Sequence, residues 1–195
     1  MRTVLLVDDN ESLIEIFSLF FQEEGWNVLT APGGRECLKL LEHDCPDLIL
    51  LDVMMEPMDG WETLRHVKEN LRWAKIPVAM LTGKALSQKE FESNGMLFEN
   101  YLVKPLSKSK IILLSGQVID AHNKVQRDAE AARNKGIDPV IIEEYLIVNH
   151  RVILNQRISA SLALQGFTIH WDLAKDQERL REIEKLFAEL GVSLS

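Results

Sequence analysis

An α/β fold, in which helices cover both faces of a parallel sheet, is predicted for the first 105 residues, and an all-helical region for the remainder. Short apolar runs alternate with longer amphipathic stretches up to residue 105, which is the pattern of successive βαβ units. From Leu106 onward, apolar residues recur at steps of three and four, the spacing of one helix face. A chain of 195 residues suffices for one large hydrophobic core and a smaller unit.

Five apolar runs are predicted to form the strands of the sheet. They lie at residues 3–7, 27–30, 47–51, 77–81 and 100–103. Helices are predicted between them at residues 12–24, 34–42, 61–71 and 87–94. Gly25 ends the first helix and Asp59-Gly60 precedes the third, which are ordinary helix boundaries. The segment 87–94 has few apolar residues and is predicted to be only a short helix.

Three longer helices are predicted beyond the fifth strand. The first extends from about residue 107 to 135, where Gly136 stops it. Asp138-Pro139, an N-cap followed by proline at the first helical position, starts the second, which extends to Gln165 before Gly166. The third covers about 172–190. We therefore predict two domains, residues 1–122 and 123–195, with the second continuous with the helix that follows the fifth strand.

The charge of the chain argues against a nucleic-acid binder. Residues 1–125 contain 13 Lys and Arg and 19 Asp and Glu, which gives a net charge of −6. The residues beyond 125 contain 9 Lys and Arg and 11 Asp and Glu, which gives a net charge of −2. Neither half has the basic stripe through which proteins contact phosphate backbones. Without a signal peptide or an apolar segment of membrane-spanning length, we expect a cytoplasmic protein with no membrane association. Cys37 and Cys45 are expected to be reduced thiols.

Polar side chains follow four of the five predicted strands. Asp8 and Asp9 follow the first strand, Asp52 the third, Thr82 the fourth and Lys104 the fifth. Because the carboxyl ends of parallel strands meet at one edge of a sheet, these residues should lie close together. Each alone could be a helix cap or a turn residue. Four such positions at four strand ends predict a shared site.

Three carboxylates at one edge would repel one another unless a cation lay among them. Oxygen ligands favour a hard divalent ion such as Mg²⁺, which leaves room for a phosphate oxygen. One carboxylate could then attack phosphorus while the metal and Lys104 neutralise the charge that develops. Thr82 could donate its hydroxyl to a phosphoryl oxygen, and Gly83 has no side chain to obstruct the approach.

The segments VLLVDDN, LILLDVMMEPMDGWE, VAMLTGK and NYLVKP resemble the receiver domains of two-component response regulators in identity, order and spacing. Asp52 and Thr82 are 30 positions apart, and Thr82 and Lys104 are 22 apart. The resemblance extends over roughly residues 1 to 125. It implies a flavodoxin-like, doubly wound sheet of five parallel strands in the order 2-1-3-4-5. The helical C-terminal region lies outside it.

The resemblance implies a phosphorylation switch. Asp52 is the implied phosphoacceptor, and Thr82 and Lys104 are the implied ligands of the phosphoryl group. Tyr101 takes the place of the family's switch aromatic, which turns inward when Thr82 moves toward the phosphate. A sensor histidine kinase is the implied donor. The chain would catalyse only its own phosphorylation and dephosphorylation, so it is not expected to be an enzyme acting on other molecules.

The resemblance also implies the ligands of the metal. Asp8 and Asp9 would hold Mg²⁺ together with Asp52 and the backbone carbonyl oxygen of Met54. The family typically has a cis peptide bond between the lysine and the proline after it, here Lys104-Pro105, and this conformation is common only before proline.

The helix predicted at 139–165 is apolar on more than one side. Ile141, Tyr145, Val148 and Val152 form one stripe, and Ile147, Leu154 and Ile158 form another. A helix apolar over so wide an arc must be buried, and three helices of this size could barely bury it alone. We therefore expect the C-terminal region to form a homodimer or to bind a helical protein partner.

Two other functions are compatible with parts of the pattern. A metal-dependent phosphatase of the haloacid dehalogenase type would use Asp8 as nucleophile, but it requires an acidic residue two positions later, where Asn10 stands. That alternative also leaves Asp52 without a role. His150 could relay a phosphoryl group as a phosphorelay intermediate, but a lone histidine between Asn149 and Arg151 is more often a surface or interface residue.

Overall fold

The computed structural model describes residues 1–163 and 172–194, with side chains described except at 160–163. The chain divides into two compact units, Met1–Ile119 and Asp120–Ser195. The division falls within one long helix, Lys108–Asn134. Each unit has its own hydrophobic core, so each is described by itself below.

The first unit alternates strands and helices. The strands are β1 Thr3–Val7, β2 Asn27–Ala31, β3 Leu48–Leu51, β4 Val78–Thr82 and β5 Asn100–Val103. The helices are α1 Glu11–Glu23, α2 Gly34–Leu41, α3 Gly60–Glu69 and α4 Gln88–Asn94, followed by the first turns of α5 Lys108–Asn134. These bounds lie within two residues of the predicted ones, because capping residues and glycines mark most helix ends.

The five strands form one parallel sheet in the order β2-β1-β3-β4-β5. The predicted α/β fold with the strand order 2-1-3-4-5 is therefore confirmed. Val7 at the end of β1 pairs with Leu51 at the end of β3, and Thr82 at the end of β4 pairs with Val103 near the end of β5. This register places the residues that follow these strands at the same edge of the sheet.

One cluster of the core of the first unit lies on the face of the sheet against which α1 and α5 pack. Alternate residues of β1, β3, β4 and β5 pack there against α1 and α5, because successive strand residues point to opposite faces. The buried members are Val4, Leu6, Phe17, Phe21, Leu48, Leu50, Ala79, Leu81, Leu102, Ile111, Val118 and Ile119. The intervening strand residues, such as Leu5, Ile49 and Met80, are equally buried on the other face.

Side-chain caps fix the helices that begin near this edge. Asn10 accepts a hydrogen bond from the backbone N–H of Leu13 at the start of α1, and Asp59 accepts one from Glu62 at the start of α3. Ser87 and Glu90 form a reciprocal capping box at the start of α4. The short helix α4 therefore forms despite its low apolar content.

The second unit consists of the remainder of α5, α6 Pro139–Ala163 and α7 Leu173–Glu189. Gly136, with a φ of 73°, follows α5 in the left-handed conformation that favours glycine. Asp138 accepts a hydrogen bond from Val140 N (2.9 Å), as predicted for an N-cap. The predicted end of this helix at Gln165 and Gly166 lies outside the described residues. The buried core consists of Val125, Ala129, Ala132, Ile137, Ile142, Tyr145, Ile183, Phe187 and Val192.

The apolar stripe on α6 is buried, as predicted, but its burial does not require a second chain. Tyr145, Val148 and Val152 are 1%, 5% and 6% exposed within the single chain, and Ile141 is half-buried. Tyr145 packs on Phe187 of α7, with the ring centroids 5.0 Å apart. The partners that cover the stripe include helices of the same chain, whose contribution the sequence pattern underestimated.

The two cysteines do not form a disulfide bond. Both cysteines are free: Cys37 is buried, and Cys45 is exposed. Burial raises the pKa of the Cys37 thiol to about 12, so this side chain packs as a neutral apolar group. Among the described residues, no helix is both long enough and apolar enough to cross a membrane.

Candidate functional site

An ammonium group lies between two carboxylates at the carboxyl edge of the sheet. The Nζ of Lys104, just after β5, donates to Asp52 Oδ1 at 2.9 Å and also to Asp8 Oδ2. The side chains of Lys104, Asp8 and Asp52 are only 13%, 10% and 6% exposed. The pairing of Val7 with Leu51 explains the geometry, since Asp8 and Asp52 are the next residues of adjacent strands.

The loop after β3 holds Asp52 in place. Its second carboxylate oxygen, Oδ2, accepts the backbone N–H of Met54 at 2.5 Å, and its own N–H donates to Val7 O at 2.9 Å. Gly60, the first residue of α3, lies directly against this backbone: a Cβ there would be 2.0 Å from the Asp52 carbonyl oxygen. Both oxygens of Asp52 are therefore oriented by donors, and only glycine fits behind it.

The structure brings two of the three predicted carboxylates together. Asp8 is buried and accepts from Asn10 N at 2.9 Å, whereas Asp9 is exposed on the loop to α1. No set of three or more His, Cys, Asp or Glu side chains in the described part of the chain is placed to hold a metal ion. Lys104 provides the compensating positive charge for Asp8 and Asp52 in this arrangement.

Thr82 lies at the end of β4 and is fully buried. Its Oγ1 accepts the backbone N–H of Lys84 at 3.2 Å, which leaves the hydroxyl hydrogen available for donation. Its carbonyl oxygen accepts the backbone N–H of Lys104 at 2.7 Å. The predicted Thr82 and Lys104 are thus directly linked through the backbone at the same edge.

Tyr101 is turned into the protein and is 8% exposed. Its hydroxyl donates to the carbonyl oxygen of Lys84 at 2.9 Å, and its ring stacks on Trp61 at 6.2 Å between centroids. Burial, and then the negative charges of Glu90 and Asp52, raise the pKa of Tyr101, so its hydroxyl remains a proton donor.

Glu90 is a residue of this region that the sequence did not predict. Its carboxylate accepts from Lys84 Nζ at 2.7 Å, from Trp61 Nε1 at 2.9 Å and from the Ser87 hydroxyl at 2.5 Å. Burial alone would raise the pKa of Glu90, but these hydrogen bonds outweigh it and lower the pKa to about 2. The Ser-x-x-Glu spacing could have indicated the capping box. Nothing in the spacing indicates the contacts with Lys84 and Trp61.

Two further sequence-based expectations concern the Lys104-Pro105 peptide bond and His150. The peptide bond Lys104-Pro105 is cis, as predicted, and Glu56-Pro57 is also cis, which was not predicted. His150 lies on α6 in the second unit and is half-buried.

The chain is similar to one protein family and to individual response regulators, over different shares of its length. The family model of the response regulator receiver domain matches residues 4–115. The response regulator SaeR of Staphylococcus epidermidis is 25% identical over 175 residues, which cover 89% of this chain and 72% of SaeR. SaeR of Staphylococcus aureus is 23% identical over 181 residues, 92% of this chain and 75% of SaeR.

Solved structures show the same similarity. The N-terminal domain of a response regulator receiver protein from Methanoculleus marisnigri JR1 is 40% identical and covers 58% of this chain and 93% of its own, with a TM-score of 0.52. Chemotaxis protein CheY4 of Vibrio cholerae is 30% identical and covers 60% of this chain and 98% of its own, with a TM-score of 0.57. Since the family model spans more than half of the sequence and the sheet order agrees with it, the chain belongs to the response regulator receiver domain family.

Proposed function

We propose that Asp52 accepts a phosphoryl group and that this reaction switches the output of the protein. The observation that carries the proposal is the Lys104 ammonium, 2.9 Å from Asp52 Oδ1 and also paired with Asp8, at the carboxyl edge of a receiver-domain sheet. A carboxylate repels an approaching phosphate dianion, and an adjacent cation reduces that repulsion. Lys104 is therefore the residue that makes Asp52 a practical nucleophile.

In the proposed reaction, an oxygen of Asp52 attacks phosphorus and forms an acyl phosphate. The bond between phosphorus and the donor breaks, and the donor leaves with the bonding electrons. Thr82 donates its hydroxyl to one phosphoryl oxygen, and Lys104 binds another. The backbone N–H of Met54 holds Asp52 Oδ2 at 2.5 Å and so fixes the orientation of the carboxylate. The chain catalyses only its own phosphorylation and dephosphorylation.

The donors near Asp52 suit Mg²⁺ in their chemistry. Asp8, Asp9, Asp52 and the carbonyl oxygen of Met54 all offer oxygen atoms, and Mg²⁺ binds with few protein ligands while it keeps several waters. We propose these four as its ligands; Asp8 and Asp52 already lie together at Lys104, whereas Asp9 is exposed on the loop to α1. When bound, Mg²⁺ would neutralise charge on the transferred phosphoryl group.

The proposed phosphodonor is a sensor histidine kinase, the usual donor of response regulators. Its phosphohistidine would lose the phosphoryl group to Asp52, and the exchange would take place in the cytoplasm, where a kinase has access to ATP. For the output, we propose that the helical second unit contacts another protein, either a second copy of this chain or a helical partner. The net charge of −2 beyond residue 125 supports protein contact over nucleic-acid contact.

Intact-mass measurement with acetyl phosphate and Mg²⁺ tests the phosphoacceptor. The wild-type protein should gain one phosphoryl group, and chelation of Mg²⁺ should strongly slow the reaction. Asp52→Asn should gain none, because an amide is not a nucleophile toward phosphorus. Asp44→Asn, which removes the charge of an exposed aspartate, is the matched control and should react as the wild type does.

Full labelling of Asp52→Asn would refute the assignment. Attention would then move to Asp8, the nucleophile of the dehalogenase-type alternative, and peptide mapping of the labelled Asp52→Asn protein would identify the residue that carries the phosphoryl group. Equal rates with and without Mg²⁺ would contradict the metal assignment alone.

A further inference from the structure

Lys84, two residues after Thr82, makes three hydrogen bonds that converge on one loop. Its backbone N–H donates to Thr82 Oγ1 at 3.2 Å, and its carbonyl oxygen accepts the Tyr101 hydroxyl at 2.9 Å. Its side-chain Nζ donates to Glu90 Oε1 at 2.7 Å. The backbone of Lys84 therefore joins the two predicted switch residues, and its side chain is held by α4.

Glu90 is itself fixed from several directions. Oε1 also accepts Trp61 Nε1 at 2.9 Å, and Oε2 accepts the hydroxyl and the N–H of Ser87 at 2.5 and 3.1 Å. The side chain is only 16% exposed. Because donors engage both oxygens, the carboxylate offers Lys84 an anchor of fixed position.

Trp61 contacts both Glu90 and the predicted switch residue Tyr101. Its indole ring stacks on the ring of Tyr101 with 18° between the planes, and both rings contact Phe98. Glu90 thus acts on Tyr101 by two routes: through Lys84, which binds the hydroxyl, and through Trp61, which packs on the ring.

We propose that Glu90 is a positioning residue that holds Tyr101 in its buried position, through Lys84 and Trp61, and thereby favours phosphoryl binding at Asp52. The effect on phosphoryl binding rests on the proposed phosphorylation of Asp52, whereas the effect on the position of Tyr101 does not. Movement of Thr82 toward a phosphoryl group also moves the Lys84 backbone that is bonded to it. A contact that stabilises one position of this loop must therefore change the affinity for the phosphoryl group.

A purely structural role for Glu90 as the cap of α4 makes a different prediction. The capping box uses Oε2 and Ser87, and glutamine can replace glutamate in such a box. Capping does not require Oε1, which binds Lys84 and Trp61. Glu90→Gln should therefore preserve the cap while it removes the charge that holds Lys84.

Fluorine NMR of protein labelled with 3-fluorotyrosine measures the position of Tyr101 directly. The chain has only two tyrosines, Tyr101 and Tyr145, so two resonances are expected and Tyr101→Phe assigns them. Tyr145 lies in the second unit and serves as the internal reference. Spectra are recorded on the free protein and during titration with beryllium fluoride in the presence of Mg²⁺.

In the free protein, Glu90→Gln should shift or broaden the Tyr101 resonance and leave that of Tyr145 unchanged. Beryllium fluoride should bind about fivefold more weakly, at the lower end of typical coupling between two sites. Lys84→Gln removes one of the two routes and should shift both readouts in the same direction by a smaller amount, and the double variant should do little more than Glu90→Gln because Glu90 takes part in both routes. Glu92→Gln is the matched control and should change neither readout, because Glu92 is exposed on the same helix and its carboxylate accepts from Gln88 of that helix.

Superposition of the Tyr101 resonances of Glu90→Gln and wild type, free and titrated, would overturn the proposal. If Glu90→Gln unfolds, Lys84→Gln and Trp61→Phe decide by the same comparison, since each removes one of the two routes. Absence of any response of the wild type to beryllium fluoride would instead refute the proposed function. The comparison of the free proteins would still decide the role of Glu90.

Discussion

The ionised carboxylate of Glu90 couples the stability of the first unit to pH. Burial opposes ionisation, but hydrogen bonds from Lys84, Ser87 and Trp61 lower the pKa of Glu90 from 4.5 to about 2. A lowered pKa in the folded state gives stability that is fully present above the unfolded pKa. That stability is lost as the pH falls from about 4.5 toward 2.

We predict that the stability advantage of wild type over Glu90→Gln is constant between pH 7 and about pH 5 and shrinks below it. The free energy of unfolding, measured with urea at several pH values for both proteins, gives this difference directly. Other titrating groups are common to the two proteins and cancel. An advantage that stays constant down to pH 3 would contradict the ionised, hydrogen-bonded state of Glu90.

Site residues that directly follow a strand could be predicted from the sequence. Asp8, Asp52 and Lys104 meet because each directly follows a strand of the same sheet. Asp9 is exposed on the loop between β1 and α1, so a position after a strand of this sheet does not by itself place a side chain beside Asp52. Glu90 could not be predicted as a contact of Trp61, because that contact depends on how α3 and α4 lie side by side.

Helices α2 and α3 pack closely at Gly34, the first residue of α2. A Cβ at Gly34 would lie 2.1 Å from Thr63 Oγ1 and 2.9 Å from the sulfur of Met58. Thr63 is fully buried, and its hydroxyl donates to Asp59 O at 2.8 Å, so it has little freedom to move. The contact between the two helices therefore requires a residue without a side chain.

We predict that Gly34→Ala destabilises the protein by about 1–3 kcal/mol, the usual cost of overpacking a core. Helix propensity alone predicts the opposite sign, a gain of about 0.5–1 kcal/mol. Urea denaturation distinguishes the two. Gly83→Ala is the control, since nothing lies within 4 Å of a Cβ there and its effect should be small. A stabilised Gly34→Ala protein would show that α2 can move away from α3 without loss.

Most helices and strands could be predicted within two residues, because periodicity and capping residues are local properties of the sequence. The groups that pack against α6 could not be predicted in the same way. Its apolar residues Tyr145, Val148 and Val152 were expected to need a second copy or a helical partner for burial, yet they are buried within one chain. The sequence shows how much of a helix is apolar, but it does not show which helices cover it.

Helix α5 belongs to both units, since the division at Ile119 and Asp120 falls inside Lys108–Asn134. The two units therefore share one continuous helix. The second unit has its own apolar core, and ion pairs connect α6 with α7. Arg179 forms a bidentate pair with Glu144 at 2.7 and 2.8 Å, and Arg151 pairs with Asp176 at 2.9 Å.

Two exposed apolar residues among the described side chains of α6, residues 139–159, indicate where a second copy could bind. Val140 and Ile147 are 71% and 42% exposed and lie seven residues apart, on one helix face. Burial of a fully exposed side chain of this size contributes roughly 1.5–3 kcal/mol, and proportionally less for one already half-covered. Two such residues from each of two chains provide a modest driving force, which suits an association that phosphorylation can regulate.

We predict that the full chain is a dimer by light scattering, and that Mg²⁺ with beryllium fluoride changes its dissociation constant. The double variant Val140→Ser and Ile147→Ser should shift the equilibrium toward monomer, because it removes apolar surface from the contact. Leu113→Ser changes a residue of α5 that is 60% exposed and lies in the first unit, and this control should leave the mass unchanged. A monomer at all concentrations, with and without the analogue, would exclude self-association and leave a different helical protein as the partner. Tight, salt-sensitive binding to duplex DNA would overturn a protein-contact output altogether, since salt dependence is the signature of phosphate contacts.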